Sequence, residues 1–271
     1  MKTIDYFSSV PVQIVLWRGD VELGTATGFF YKRHASDYLI TNWHVLSGRD
    51  ANTGQTLLNT GAIPDRIQFL LQAEPLGSTW LSPRKPLLHF DEQQDTTANW
   101  FQHPSGQRID LACIRVLDLP PGVLARFPTA NNVQEPLTHE IGSDCYVVGF
   151  PLWHITSRET VVWKRATIAT EFELGFGSTA SFLVDTTSSK GMSGSPVFLR
   201  QTGKVRYASG EVGFWDGGPA TEFVGVYSGR YLSSDGSELS LGHVWKRELI
   251  DEMIDTPTLG NYVLKSPTSD P

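Results

Sequence analysis

The chain has 271 residues, a formal net charge of -7 and a pI near 5.5. An acidic surface repels phosphate groups, which argues against nucleic acid as a partner. Hydrophobic residues make up 40% and charged residues 19%, as in ordinary globular domains, and no apolar run approaches the roughly 20 residues of a membrane-spanning helix. The 25 Gly and 16 Pro predict many turns, which favours an all-β chain.

The two cysteines, Cys113 and Cys145, stand inside the apolar runs LACIRV and CYVVGF. Their number and setting predict buried free thiols and a reducing compartment. The first 17 residues carry Asp5 and lack the sustained apolar core of a signal peptide. We therefore expect a cytoplasmic protein without a membrane partner, although unconventional export stays open.

Short runs rich in Val, Ile, Phe, Tyr and Thr recur between turn signals, as expected of strands. The predicted strands cover 12–17, 27–31, 38–41, 66–72, 109–117, 145–150, 160–172, 181–185, 195–199 and 222–228, and an amphipathic helix is predicted at 245–254. The polar segments 49–62 and 89–107 are predicted as surface insertions.

The strand pattern is interrupted at 118–138, where DLPPGV and NNVQEP occur. This interruption predicts an N-terminal β unit at 1–125 and a C-terminal β unit at 126–255. The polar, Pro-rich residues 256–271 are predicted as a flexible tail.

Three short segments contain side chains suited to catalysis. His44 follows a predicted strand in TNWHV, Asp110 enters an apolar strand in RIDLACIRV, and Ser193 stands between two glycines in KGMSGSPVF. Each has an ordinary alternative: a packed structural histidine, an aspartate capping a turn, and a serine in a tight turn. A buried aspartate, however, requires hydrogen-bonded partners, and a histidine N–H is one.

The three segments together are more informative than any one alone. A serine hydroxyl needs a base to accept its proton, and that base needs a carboxylate to orient it. TNWHV, IDLACIRV and GMSGSP resemble the T-A-A-H-C, D-[IL]-A-[LV] and G-D-S-G-G-P segments of chymotrypsin-like (trypsin-like) peptidases. GTATGFFY, FVGVYSGR and VWKRELIDEMI extend the resemblance over about residues 10–255, and G-x-S-G-S-P is similar to bacterial, disulfide-poor members.

The resemblance implies an all-β fold of two six-stranded antiparallel barrels of the chymotrypsin type with a C-terminal helix. It also implies that Ser193 is the nucleophile, His44 the base and Asp110 the residue that orients His44. The N–H groups of Gly191 and Ser193 would form the oxyanion hole. Ser195 stands where a second glycine is usual and is not expected to be the nucleophile.

Substrate contacts follow from the same resemblance, with Ser228 also expected to donate to Asp110. The residues implied in substrate binding are Thr187, Ser188, Lys190, Ser228, Gly229 and Arg230. Because Thr187 and Ser188 would form the pocket base without an acid, we expect no strong preference for Arg or Lys. Lys190 and Arg230 either favour an acidic substrate residue or are solvated surface charges.

We therefore predict a serine endopeptidase that acts through an acyl-enzyme on polypeptides. The seven His and two Cys show no metal-ligand spacing, so neither a metal nor a cofactor is expected. The alternative is a latent protease effector or peptide-binding module that needs a regulatory protein partner. Met192 precedes the candidate nucleophile where many relatives have Asp, so we expect this loop to be held by apolar packing and not by an ion pair.

Overall fold

The fold consists of two antiparallel β units followed by a helix. The computed structural model describes residues 4–73, 78–90, 96–117, 119, 121–123, 125–129, 133, 135–151, 161–187, 190–232 and 238–261. Of the two helices in these ranges, α1 (Trp43–Ser47) and α2 (Glu248–Asp255), neither has the length and apolarity needed to cross a lipid bilayer. A short 3₁₀ helix, Tyr6–Ser9, precedes the first strand.

The N-terminal unit is a nine-stranded sheet. Its strands are β1 (Pro11–Arg18), β2 (Val21–Arg33), β3 (Ser36–Thr41), β4 (Arg66–Ala73), β5 (Ser78–Leu81), β6 (Lys85–Pro86), β9 (Phe101–Gln102), β10 (Ala112–Val116) and β17 (Thr258–Leu259). They run in the order β17-β9-β10-β3-β2-β1-β4-β5, with β6 also beside β4. β7 (Leu88–Phe90) and β8 (Thr96–Ala98) form a separate pair.

The C-terminal unit is a closed barrel of six strands. They are β11 (Asp144–Gly149), β12 (Val162–Ile168), β13 (Ser181–Asp185), β14 (Pro196–Arg206), β15 (Val212–Leu232) and β16 (Glu238–Lys246). The order around the barrel is β11-β12-β13-β16-β15-β14, and β14 closes onto β11.

The predicted all-β class, the six-stranded C-terminal barrel and the C-terminal helix are confirmed, whereas the prediction of a six-stranded barrel for the N-terminal unit is wrong. Among the described residues this unit is a sheet of nine strands in an open order, which includes the short strands β5, β6, β9 and β17. β16 was not predicted, and the helix begins at Glu248 rather than 245. Trp245 pairs with Ser181 and Val226 inside the barrel, whereas Leu249 and Met253 are the buried face of α2.

Two segments predicted as polar surface or tail contribute to the core. Trp100, inside the predicted insertion 89–107, is fully buried. Gly260 packs on its indole, where an added Cβ would lie 2.5 Å from the ring, and the Gly260 N–H donates to the Trp100 carbonyl at 3.0 Å. Within the predicted tail, Thr258–Leu259 pair with β9, while residues 262–271 lie outside the described residues.

A shared apolar cluster joins the two β units. Phe29 and Ile40 of the N-terminal sheet, Phe198 and Phe223 of the barrel, and Leu249 of α2 all belong to it. Each unit also has a cluster of its own. The boundary at residue 125 stays a prediction, but the shared cluster fixes the sheet against the barrel and so positions the residues where they meet.

Candidate active site

His44 and Asp110 are brought together by the pairing of β3 with β10. Ala112 at the start of β10 pairs with Thr41 at the end of β3, so the residues just outside these positions are neighbours. The Asp110 Oδ2 atom lies 2.6 Å from His44 Nδ1, and its Oδ1 atom accepts the His44 backbone N–H at 2.8 Å. The carboxylate therefore fixes both the ring and the backbone of the histidine.

The Asp110 carboxylate is 4% exposed and is well supplied with donors. Besides its two bonds with His44, it accepts a bond of 2.5 Å from the Ser228 hydroxyl. The Asn42 side chain donates to the Asp110 carbonyl at 2.8 Å, which fixes the backbone at this point. These bonds offset the cost of burying the charge.

The protonation of His44 is governed by its carboxylate neighbour. Burial lowers the pKa of His44, but the charge of Asp110, its hydrogen bond and the charge of Asp50 outweigh burial, so the pKa is raised above 6.5. With Nδ1–H donating to Asp110, the neutral ring presents an unprotonated Nε2. Among the described residues no group hydrogen-bonds to Nε2, so it is available to accept a substrate-side proton.

Ser193 lies in a tight turn at the meeting of the two units. Gly191 and Gly194 have φ of 93° and 83°, values that favour glycine. A Cβ added to Gly194 would lie 2.0 Å from the Thr27 carbonyl oxygen, so no side chain fits there. The Ser193 Oγ atom is 3.9 Å from the position of an added Cβ at Gly229, the residue after Ser228. Ser193 therefore lies close to the residue that follows Ser228, the hydroxyl donor to Asp110.

The structure describes five of the six residues implied in substrate binding. Thr187 and Lys190 are exposed beside the nucleophile loop, whereas Ser188 lies outside the described residues. Gly229 and Arg230 are half-buried in β15, where they pair with His243 and Gly242 of β16. Their roles in specificity stay predictions.

Lys164 is a residue near the nucleophile loop that the sequence reasoning missed. It lines a recess with Val147, Thr186, Met192 and Tyr227 that is too narrow to hold a water molecule. Burial and the Arg230 guanidinium lower the pKa of Lys164. The signal was present in β12, because Lys164 is two residues before the buried Ala166 and shares its face of the strand.

Met192 and the two cysteines are all buried. Met192 is 1% exposed and packs in the barrel core, as predicted. Cys113 and Cys145 are buried free thiols, also as predicted. Burial raises the pKa of each thiol to about 12, with Asp144 adding to the effect at Cys145, so neither is a competing nucleophile at neutral pH.

Comparisons with known proteins give one family and several similar structures. A family model described as a trypsin-like peptidase domain matches residues 26–206, more than half of the chain. The comparison with curated proteins found no match.

Three solved structures are similar. The serine endoprotease from Yersinia pestis has a TM-score of 0.47 and 12% identity, over 94% of this chain and 67% of that one. The protease Anisep from Arthrobacter nicotinovorans has a TM-score of 0.44 and 14% identity, over 88% and 90%. The thermostable serine protease AL20 from an extremophilic microorganism has a TM-score of 0.45 and 14% identity, over 89% and 93%.

Proposed function

Because the chain belongs to the trypsin-like peptidase family and is a serine-type hydrolase, we propose that it is an endopeptidase with His44, Asp110 and Ser193 as its catalytic triad. The observation that carries this proposal is the buried Asp110 carboxylate, which binds the His44 ring and backbone beside the Ser193 turn. In a Ser-His-Asp triad the carboxylate holds Nδ1 of the base and Nε2 stays free to accept the serine proton, and the contacts of His44 match this arrangement.

The proposed reaction proceeds in two halves. His44 Nε2 accepts the Ser193 hydroxyl proton while Oγ attacks the scissile carbonyl, and the N–H groups of Gly191 and Ser193 stabilise the oxyanion. The C–N bond breaks, and His44 returns the proton to the leaving amine. A water molecule then gives a proton to His44 and attacks the acyl ester, and His44 returns this proton to the Ser193 Oγ atom as the carboxylic acid product leaves. Asp110 stabilises the imidazolium in both halves.

A substrate strand has an edge to bind. The backbone hydrogen bonds between β15 and the segment that leads into β14 end at Tyr227. The Tyr227 carbonyl accepts the Gly194 N–H, and the Tyr227 N–H donates to the Ser195 carbonyl. Gly229 of β15 pairs with His243 of β16 on one edge, and no described strand pairs with Gly229 on the other edge. An extended peptide added there would lie beside Ser193, in the manner of β-strand addition.

A serine-directed fluorophosphonate probe tests the triad. We expect labelling of the purified protein at Ser193, located by mass spectrometry, and none in Ser193→Ala, with turnover reduced on the order of 10⁶-fold. Ser195→Ala is the matched control, two residues away and buried, and should still be labelled.

Two results would contradict the triad. Labelling of Ser193→Ala would show that the nucleophile is another residue. A folded wild type that is never labelled would instead favour the latent effector or peptide-binding module, and adding candidate partners would then separate these two.

A further inference from the structure

Thr27 of β2 connects the N-terminal sheet to the loop that carries Ser193. Its side chain is fully buried. Its hydroxyl donates to the Gly191 carbonyl at 2.8 Å, and its backbone N–H donates to the Ser193 carbonyl at 2.9 Å. One residue therefore binds the two peptide groups that follow Gly191 and Ser193.

The Thr27 hydroxyl is itself held in place. It accepts the Phe150 backbone N–H at 3.1 Å, so both its donor and acceptor functions are satisfied. The Thr41 hydroxyl donates to the Thr27 carbonyl at 2.9 Å. A Cβ on Gly194 would meet that carbonyl at 2.0 Å and the Thr41 Oγ1 at 2.4 Å, so the turn sits directly against the sheet.

The hydrogen bonds of Thr27 orient the backbone of the nucleophile loop, which the packing of Met192 does not do. Apolar packing of Met192 fills space in the barrel but does not select the orientation of the neighbouring peptide planes. Hydrogen bonds are directional and do select it. An oxyanion hole depends on that orientation, because its N–H groups must converge on one point before the reaction begins.

We propose that Thr27 is a positioning residue for the oxyanion hole, which holds the Gly191–Ser193 loop in its working conformation through its hydroxyl. This proposal rests on the proposed function, since it assigns the Gly191 and Ser193 N–H groups to the oxyanion. The hydroxyl takes the place of the ion pair that a charged residue at position 192 would make. Thr27 touches no reacting atom and acts through the loop.

The first arm of the test is kinetic. Thr27→Val keeps the shape of the side chain and removes both hydroxyl bonds, whereas Thr27→Ser keeps the hydroxyl. Because a direct oxyanion donor is worth about 10²–10³-fold in kcat, we expect Thr27→Val to lower kcat about 10–100-fold with little change in KM. Thr27→Ser should restore most of kcat.

The matched control is Thr138→Val. The Thr138 hydroxyl also donates to a backbone carbonyl, that of Tyr207 at 2.9 Å, but at the β14–β15 hairpin and outside the nucleophile loop. We expect its kcat to match the wild type. If Thr27→Val fails to fold, Thr27→Ala removes the hydroxyl without adding bulk and replaces it in every comparison.

The second arm does not need activity. Hydrogen exchange followed on a peptide spanning 190–196 should be faster in Thr27→Val than in wild type, Thr27→Ser and Thr138→Val. A wild type that fails to react with the fluorophosphonate would contradict the proposed function, and the exchange arm would still decide whether Thr27 holds the loop. Wild-type exchange and wild-type kcat in Thr27→Val, or equal losses in Thr27→Val and Thr27→Ser, would overturn the role of the hydroxyl.

Discussion

The charge of Asp110 raises the pKa of His44 and burial lowers it. This balance predicts how the activity depends on pH. The base form of His44 is needed, so kcat/KM should rise with pH through the raised His44 pKa, above 6.5. Asp110→Asn removes the charge and leaves burial, which lowers the His44 pKa, so the acid limb of any residual activity should move to lower pH. In other triad enzymes this substitution lowers kcat about 10⁴-fold.

Asp144→Asn is the control for this pH measurement. Asp144 pairs with Arg165 at 2.7 Å on the barrel surface, so its change removes an equal charge away from the cleft. Its pH profile and kcat should match those of the wild type. An acid limb that stays in place in Asp110→Asn would mean that the activity is not limited by the ionisation of His44.

Individual site residues were predictable where the chemistry is local to a motif. His44, Asp110 and Ser193 each stand in a recognisable segment, and the structure places the first two in direct contact. Thr27 could not be singled out in the same way. Its hydroxyl partner is 164 positions away, and an apolar strand pattern does not indicate which carbonyl a buried hydroxyl will face.

Strands β12 and β15 carry two neighbouring cations, Lys164 and Arg230. The Lys164 ammonium and the Arg230 guanidinium lie close enough for Arg230 to lower the pKa of Lys164, and no described carboxylate contributes to that shift. Since juxtaposed like charges cost several kcal/mol, a library of P1 residues should show Arg and Lys cleaved at least about tenfold less efficiently than neutral residues.

Two lysine variants make this specificity test sharper. We propose that the P1 side chain lies beside this pair of cations, so Lys164→Gln should improve cleavage after Arg and Lys because it removes one like charge. Lys204→Gln, on the exposed part of β14, is the matched control and should leave the profile unchanged. Efficient tryptic cleavage by the wild type would show that the pocket lies elsewhere.

Most strands were predictable from composition, and the exceptions have physical causes. β16 was missed because Gly242 interrupts its apolar pattern, but the Tyr227 ring packs there, and an added Cβ would lie 2.4 Å from it. β10 begins at Ala112 and not at 109 because Asp110 leaves the strand to bind His44. In both places a long-range contact overrides the local pattern.

At the scale of the whole molecule, the N-terminal segment is attached to the barrel. Asp5 forms an ion pair with Arg200 of β14, and the Trp163 indole N–H donates to the Ser8 hydroxyl at 2.8 Å. Phe7 is buried in the shared cluster, with its ring centroid 5.0 Å from that of Phe198. The segment therefore stabilises the arrangement of the two units by packing outside the nucleophile loop.

This attachment predicts the effect of shortening the chain. Variants that begin at residues 8 to 12 lose the buried Phe7, worth about 1.5–3 kcal/mol, and the Asp5–Arg200 ion pair. We expect their melting temperature to fall by about 5 °C or more, with fluorophosphonate labelling equal to or below that of the full chain. A variant that begins at Asp5 keeps both contacts and should behave as the full chain does. Because Met192 packs in the barrel core and Thr27 binds the loop, we expect no truncation to raise labelling, and a large gain for any of them would show that the N-terminal segment restrains the nucleophile loop.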